Sequence, residues 1–149
     1  MQNKKILPPT YLLLSIIMML AFHFVLPITK IMPSPWNIFG LVPLIVGIVV
    51  AVSADNMFHR VNTTVNPFAE STALVIQGVF HFSRNPMYLG FALVLIGVAI
   101  LLGSLTPYIV VIVFLWLMNK VFIETEEHML EEKFGETYLA YKQRVRRWI

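Results

Sequence analysis

Charged residues divide this chain into long apolar intervals. No Asp, Glu, Lys or Arg stands between Lys5 and Lys30, between Lys30 and Asp55, or between Arg84 and Lys120. A helix needs about 20 mostly apolar residues to cross a bilayer. The first interval holds one such run, Tyr11–Ile28, and the second holds another, Trp36–Ala54. The third has 35 residues, enough for two helices, and its middle reads Gly103-Ser104-Leu105-Thr106-Pro107. That is a turn with proline placed to start a new helix. The pattern predicts a helical hairpin of Tyr88–Leu102 and Pro107–Ile123. The first arm is short: at 1.5 Å per residue it reaches roughly 23 Å, against an apolar core of about 30 Å.

Two polar segments remain, a loop over 55–87 and a tail over 124–149. In the tail, Leu130, Phe134, Tyr138, Tyr141 and Val145 recur at spacings of 4, 4, 3 and 4. That is one face of an amphipathic helix, and Gly135 marks a kink in it. The pattern suits packing on a membrane surface, with the basic end on anionic head groups. In the loop, Thr63–Pro67 and Ser71-Thr72 read as turns, Gly78 as a hinge, and Asn85-Pro86 as a helix start. No repeat or Ser/Gly linker divides the chain, so 1–149 reads as a single domain. The predicted fold is an all-α integral membrane protein. It has about four transmembrane helices, a C-terminal helical hairpin and a cytoplasmic amphipathic tail helix.

Composition agrees. The chain is 58% hydrophobic and 13% charged, with mean hydropathy +0.76. Soluble domains are about 45–50% apolar and about 25% charged, so an ordinary water-soluble globule is excluded. With no cysteine, disulfides, thiolate metal sites and a cysteine nucleophile are excluded too. Four spans put Lys4, Lys5, Arg60, Arg84, Lys120, Lys133, Lys142, Arg144, Arg146 and Arg147 on one side, with Lys30 alone opposite. Basic residues gather on the cytoplasmic face, which puts both termini in the cytoplasm. In a prokaryote the host would be the inner or plasma membrane. No small-x-small cleavage site follows the first run, so it is read as a retained span. The net charge of +3 gives no reason to expect a nucleic-acid partner; membrane lipids are the expected surroundings.

Candidate chemistry is concentrated at the hairpin's open end. There is no Gly-rich phosphate loop and no GxSxG elbow, and His23, His59, His81 and His128 lack metal-ligand spacing, so no metal is expected. His23, inside the first run, reads as a polar side chain bonded to a neighbouring helix. His81 and His128 border the polar segments. An antiparallel hairpin brings Arg84, Asn85 and Tyr88 towards Glu124, Glu126 and Glu127. One reading is an interfacial ion pair anchoring two helix ends. The other is a pocket for a zwitterionic, part-aromatic molecule: carboxylates hold a cation, arginine or backbone N–H holds a carboxylate, and Phe80 and Tyr88 stack.

Two motifs favour the pocket. The run from Leu74-Val75 through Gly78, Phe80, Arg84-Asn85-Pro86 and Tyr88 to Gly90 resembles the LV-x-x-G-x-(Y/F)-x-x-x-R-(H/N)-P-x-Y-x-G signature of the isoprenylcysteine carboxyl methyltransferase family. Glu126-Glu127, Leu130, Phe134-Gly135, Tyr138 and Tyr141 resemble its second element, EE-x-x-L-x-x-x-FG-x-x-Y-x-x-Y. Phospholipid methyltransferases share the R-H-P-x-Y and EE parts. The resemblance covers Thr63 to Val145. It implies an integral membrane enzyme that uses S-adenosyl-L-methionine without a Rossmann domain and methylates a lipophilic or lipid-modified acceptor.

The resemblance also implies site residues. Leu74 and Val75 would line the cofactor site, and Phe80 would stand beside the cofactor. Arg84, Asn85, Pro86, Met87 and Tyr88 would wrap it at the start of the hairpin, and Glu126, with Glu127 next to it, would bind its polar groups. Thr63–Pro67 resembles a family stretch leading into the same pocket. Asn85 stands where the best-known members carry histidine, and Phe122 where eukaryotic members carry an arginine for the substrate carboxylate. No catalytic residue is assigned. A carboxylate or thiolate acceptor needs no general base, whereas an amine or hydroxyl would use His81 or a glutamate. Two other readings stay open: a membrane reductase using NADPH, and a non-catalytic membrane scaffold.

Overall fold

Proline sets both ends of the first helix. The computed structural model describes residues 6–63 and 71–149. Helix α1 spans Pro8–Val25 with proline in its first turn, where a missing N–H costs nothing. Pro27 disfavours helical backbone at the residue before it, and Leu26 is non-helical at φ −135°, ψ 61°. The helix therefore sits three residues earlier than the apolar run suggests.

A 3-10 turn, Trp36–Gly40, leads into α2, Leu41–Arg60. This helix continues beyond Ala54, so the polar loop starts at residue 61 rather than 55. Charge ends an apolar run without breaking a helix. Asp55 and His59 lie on successive turns of α2, 3.5 Å apart. The break comes at Asn62, with φ +50°, a left-handed conformation that asparagine tolerates.

Helix α3 spans Pro86–Leu102, and Gly103 closes it in the left-handed region at φ +73°. Helix α4, Thr106–Leu117, passes through a π-helical turn, Met118–Ile123, into α5, Glu124–Arg144. The tail is thus a direct continuation of α4, broken at Gly135 (φ 50°, ψ −126°) as the sequence predicts. Helix ends at Arg144, short of 149, and Val145 is extended.

Among the described residues all regular structure is helical. Three helical stretches, Pro8–Val25, Trp36–Arg60 and Thr106–Arg144, are long and apolar enough to cross a membrane; α3 is apolar but shorter. Helix α3 is also the most enclosed. Leu95 and Ala99 are fully buried in a core with Met19, Val110, Phe114 and Met118. By contrast, α1 and α2 expose Phe24, Val42 and Val49, a surface that water would not tolerate over such an extent.

Backbone contact joins α2 to α3. Gly40 lies against Gly97, and Gly47 against Gly90; a Cβ on Gly40 or Gly47 would come within 2.5 Å of the facing carbonyl oxygen. Small residues let apolar helices approach this closely. At the α3–α4 turn, the α1–α2 linker is tied down. Ile31 and Met32 N–H donate to the Gly103 carbonyl (2.7 and 3.1 Å), and Leu105 N–H donates to Thr29. His23 Nδ1 lies 2.7 Å from Ser104 Oγ, the bond to a neighbouring element that its position suggests. Lys30 belongs to this end; the glutamates and Arg84 belong to the other.

Candidate functional site

The turn before α3 sorts its side chains. Over Gly78–His81 the backbone makes one 3-10 turn. It carries Phe80 inward to 5% exposure, edge-on to Phe58 of α2 at 5.3 Å, and leaves His81 exposed. The Phe80 carbonyl accepts a 2.7 Å hydrogen bond from the Tyr141 hydroxyl of α5. Asn85 N–H donates to Ser83 Oγ (3.1 Å). Pro86 then opens α3, and Tyr88 follows inside its first turn.

The opposite wall depends on the π turn. A turn closed by i→i+5 bonds holds one residue more than an α turn, which rotates everything after it by about 100°. Glu126 and Glu127 follow directly, and both face α3. The Tyr88 hydroxyl donates to Glu126 Oε1 at 2.5 Å. Arg84 Nη1 lies 3.1 Å from Glu127 Oε1, with both side chains more than nine-tenths buried, and 3.4 Å from the Tyr138 hydroxyl. Buried charges persist only when paired and hydrogen-bonded, and Glu127 is held twice. Arg147 reaches it with Nε (3.1 Å) and Nη2 (2.6 Å) and gives Nη1 to Asn119 Oδ1 (3.0 Å). Among the described residues, Arg84 Nε is buried with no partner. Past the apolar part of the chain, burial pushes the Glu126 carboxyl up to about 7; the Tyr88 hydrogen bond opposes this and the Glu127 charge adds to it.

The residues that the resemblance assigns to the cofactor site meet here. Leu74, Val75, Phe80, Arg84, Asn85, Pro86, Met87, Tyr88, Glu126 and Glu127 line one cavity of about 390 Å³, within the usual range for small-molecule sites. Phe58, Tyr138 and Tyr141 line it as well. The tail's apolar stripe covers this cavity: Tyr138, Tyr141 and Val145 are buried, with Leu130, Phe134 and Leu74 packed on them. The stripe therefore packs on the protein rather than lying on the membrane surface. Of its basic end, Arg147 turns inward to Glu127, while Arg144 and Arg146 stay exposed.

Some expectations change. His81 and His128 are exposed, and His128 pairs with Glu132 at 3.3 Å; neither lines the cavity, so neither is placed as a base. Phe122 is buried, 5.4 Å from the Tyr11 ring and stacked on Tyr88 at 6.1 Å. Thr64–Pro67 lies outside the described residues; Thr63 Oγ1 accepts from Thr72 N–H at 3.0 Å.

Residues 36–137 match the phospholipid methyltransferase family. The chain belongs to that family. Its relatives place it with the isoprenylcysteine carboxyl methyltransferases. It is 36% identical over 76 residues to protein-S-isoprenylcysteine O-methyltransferase B of Arabidopsis thaliana, covering 51% of this chain and 39% of that one. It is 30% identical over 112 residues to the A enzyme of the same plant, covering 72% and 55%. An uncharacterised Haemophilus influenzae protein is 43% identical over 63 residues, which is 42% of this chain and the whole of that protein. The aligned part thus spans about half or less of these two plant methyltransferases.

In this methyltransferase-family chain, the site residues that sequence reasoning misses include Phe58 and Lys133 of the lining and, behind it, Arg147 on Glu127. Phe58 has no motif around it and reaches the cavity only because α2 runs on to Arg60. Arg147 reads as one more cation in a basic tail.

Proposed function

We propose that the cavity binds S-adenosyl-L-methionine and that the protein methylates a lipophilic acceptor at the cytoplasmic face of a membrane. The observation that carries this is the convergence of two separated family motifs on one cavity with opposed charges. The residues fit the cofactor's chemistry. The ligand is a zwitterion with a cationic centre and an aromatic base. Glu126 supplies a carboxylate with no arginine on it, Arg84 Nε is a buried donor in need of an acceptor, and Phe80 and Phe58 form an aromatic wall. When bound, the cofactor supplies an activated sulfonium methyl group.

The chain's part is then to bind, orient and exclude water. Glu126 holds positive charge, and Tyr88 fixes its carboxylate. Leu74, Val75, Pro86 and Met87 provide apolar contact, while Asn85 and Arg84 address polar groups. Holding the acceptor in line with the cofactor's methyl group would be the chain's main contribution to the rate. An amine or hydroxyl acceptor would pass its proton to Glu126, the half-buried carboxylate beside Tyr88. In this reading the shorter α3 crosses the bilayer together with the three long apolar stretches, both termini are cytoplasmic, and α5 covers the site on that side.

Calorimetry on the detergent-solubilised chain tests the first half. S-adenosylmethionine and its demethylated product should bind with micromolar-range affinity, and NADPH should not. Heat with NADPH alone would favour the reductase reading, and heat with none of them a scaffold. Radiolabelled methyl transfer into a membrane extract of lipids and peptides tests the second half: label should partition with the lipophilic products.

A further inference from the structure

Beyond Arg144 the chain turns back across the site, and two of its residues make a dense set of bonds. The Arg146 carbonyl accepts from Arg84 N–H (3.0 Å). The Arg147 carbonyl accepts from Ser83 Oγ (3.2 Å) and from Asn85 Nδ2 (3.1 Å). The Arg147 guanidinium spans Glu127 and Asn119. Trp148, next in line, packs against the main core. This strap therefore joins the turn before α3 to the π turn before α5, the two pieces that carry the cavity's polar groups.

The geometry points to Arg147 as a positioning residue that decides which polar atoms the cavity offers its ligand; the inference rests on the methyltransferase reading of that cavity. Asn85 gives one amide N–H to the strap, which fixes the amide's orientation and leaves Oδ1 and the second N–H for a ligand. Glu127 has both oxygens occupied, by Arg147 on one and by Arg147 and Arg84 on the other. It acts on Arg84 and does not meet the ligand. Arg84, held through Nη1, is left with Nε as its buried free donor. Glu126 is then the carboxylate available to a cation. Three glutamates line the cavity; Glu132 is exposed and pairs with His128, Glu127 is taken by the arginines, and the strap thus leaves Glu126, the Asn85 amide and Arg84 Nε as the polar groups set beside Tyr88.

Binding of S-adenosylhomocysteine in detergent tests this, with the unliganded melting temperature measured in parallel. Arg147→Ala should weaken binding about tenfold, the size expected for losing a residue that orients a ligand-contacting group. The melting temperature should stay within about 3 °C, because Arg84 still pairs Glu127 and the strap's carbonyls remain. Arg147→Lys, which can hold Glu127 but not Asn119 as well, should recover part of the affinity. Glu127→Gln with Arg147→Ala should be no worse than Glu127→Gln alone, since both act through one contact. Wild-type affinity in Arg147→Ala would overturn the assignment. So would a loss that tracks a falling melting temperature with no recovery in the lysine variant. Failure of the wild-type chain to bind would instead sink the methyltransferase reading, and this inference with it.

Discussion

The two ends of the α3–α4 hairpin are closed by different chemistry. At the turn, Gly103 and Leu105 are bonded to the α1–α2 linker through neutral backbone groups, and His23 meets Ser104. At the open end, Arg84, Glu127, Arg147 and Asn119 form a charged network beside a cavity, and Tyr88 holds Glu126. A lattice of backbone hydrogen bonds needs no counter-ion and hardly responds to salt. A charged one costs desolvation, which good geometry and pairing must offset. The first suits a permanent clasp. The second suits a place where a ligand's charge enters the balance.

Removing the free carboxylate should separate the two ends most sharply. Glu126→Gln should reduce S-adenosylhomocysteine affinity at least about 100-fold, as expected when a buried cation loses its partner. The clasp is untouched, so the unliganded melting temperature at pH 8 should not fall. Equal affinity in wild type and variant would show that the cavity's charge is idle.

Acidity gives the next test. With its carboxyl at about 7, Glu126 is mostly protonated at pH 6 and mostly ionised at pH 8. Affinity for a cationic ligand should rise about tenfold over that range, with proton uptake or release measurable by calorimetry in buffers of different ionisation enthalpy. The stability sign is opposite. A raised carboxyl favours the folded state fully below its ordinary value and loses that contribution as pH rises through 7. The unliganded protein should melt slightly lower at pH 8 than at pH 6, and Glu126→Gln should abolish the difference.

The turn end should answer the other way. Ser104→Ala removes the partner of His23 and should cost about 1–2 kcal/mol of stability, with ligand affinity and its pH profile unchanged; a shifted pH profile would mean that the ends communicate. The smallest effect belongs to the exposed Lys120–Glu124 pair, 2.8 Å apart on the helix surface. Lys120→Ala should change stability by no more than about 0.5 kcal/mol, even though it lies within two turns of the site.

The same contrast explains what was legible beforehand. That Arg84 and Tyr88 come near Glu126 and Glu127 follows from one local fact, the glycine-to-proline turn that folds the hairpin antiparallel; which of them pair is set by the π turn. The kink at Gly135 and the stripe ending at Val145 follow from periodicity. What the chain hides is set by distant partners. Nothing around Gly40, Gly47, Gly90 and Gly97 says that they pair, because their spacing acquires meaning only across two helices. The π turn at Met118–Ile123 has no compositional mark. Arg147 is disguised by its basic neighbours. Helix α2 runs past the apolar run to Arg60 because hydropathy reports where lipid would end, and hydrogen bonds decide where a helix does.

The paired glycines have a mechanical consequence. With main chains touching at two levels one heptad apart, α2 and α3 have no side-chain cushion between them, so neither can roll or slide without collision. Phe58 and Tyr88 are thereby mounted on a single stiff post. Whatever breathing admits a ligand must fall on the facing side, where Gly135 interrupts α5 and the strap is held by detachable charges. One half of the cavity works as an anvil, the other as the part that gives.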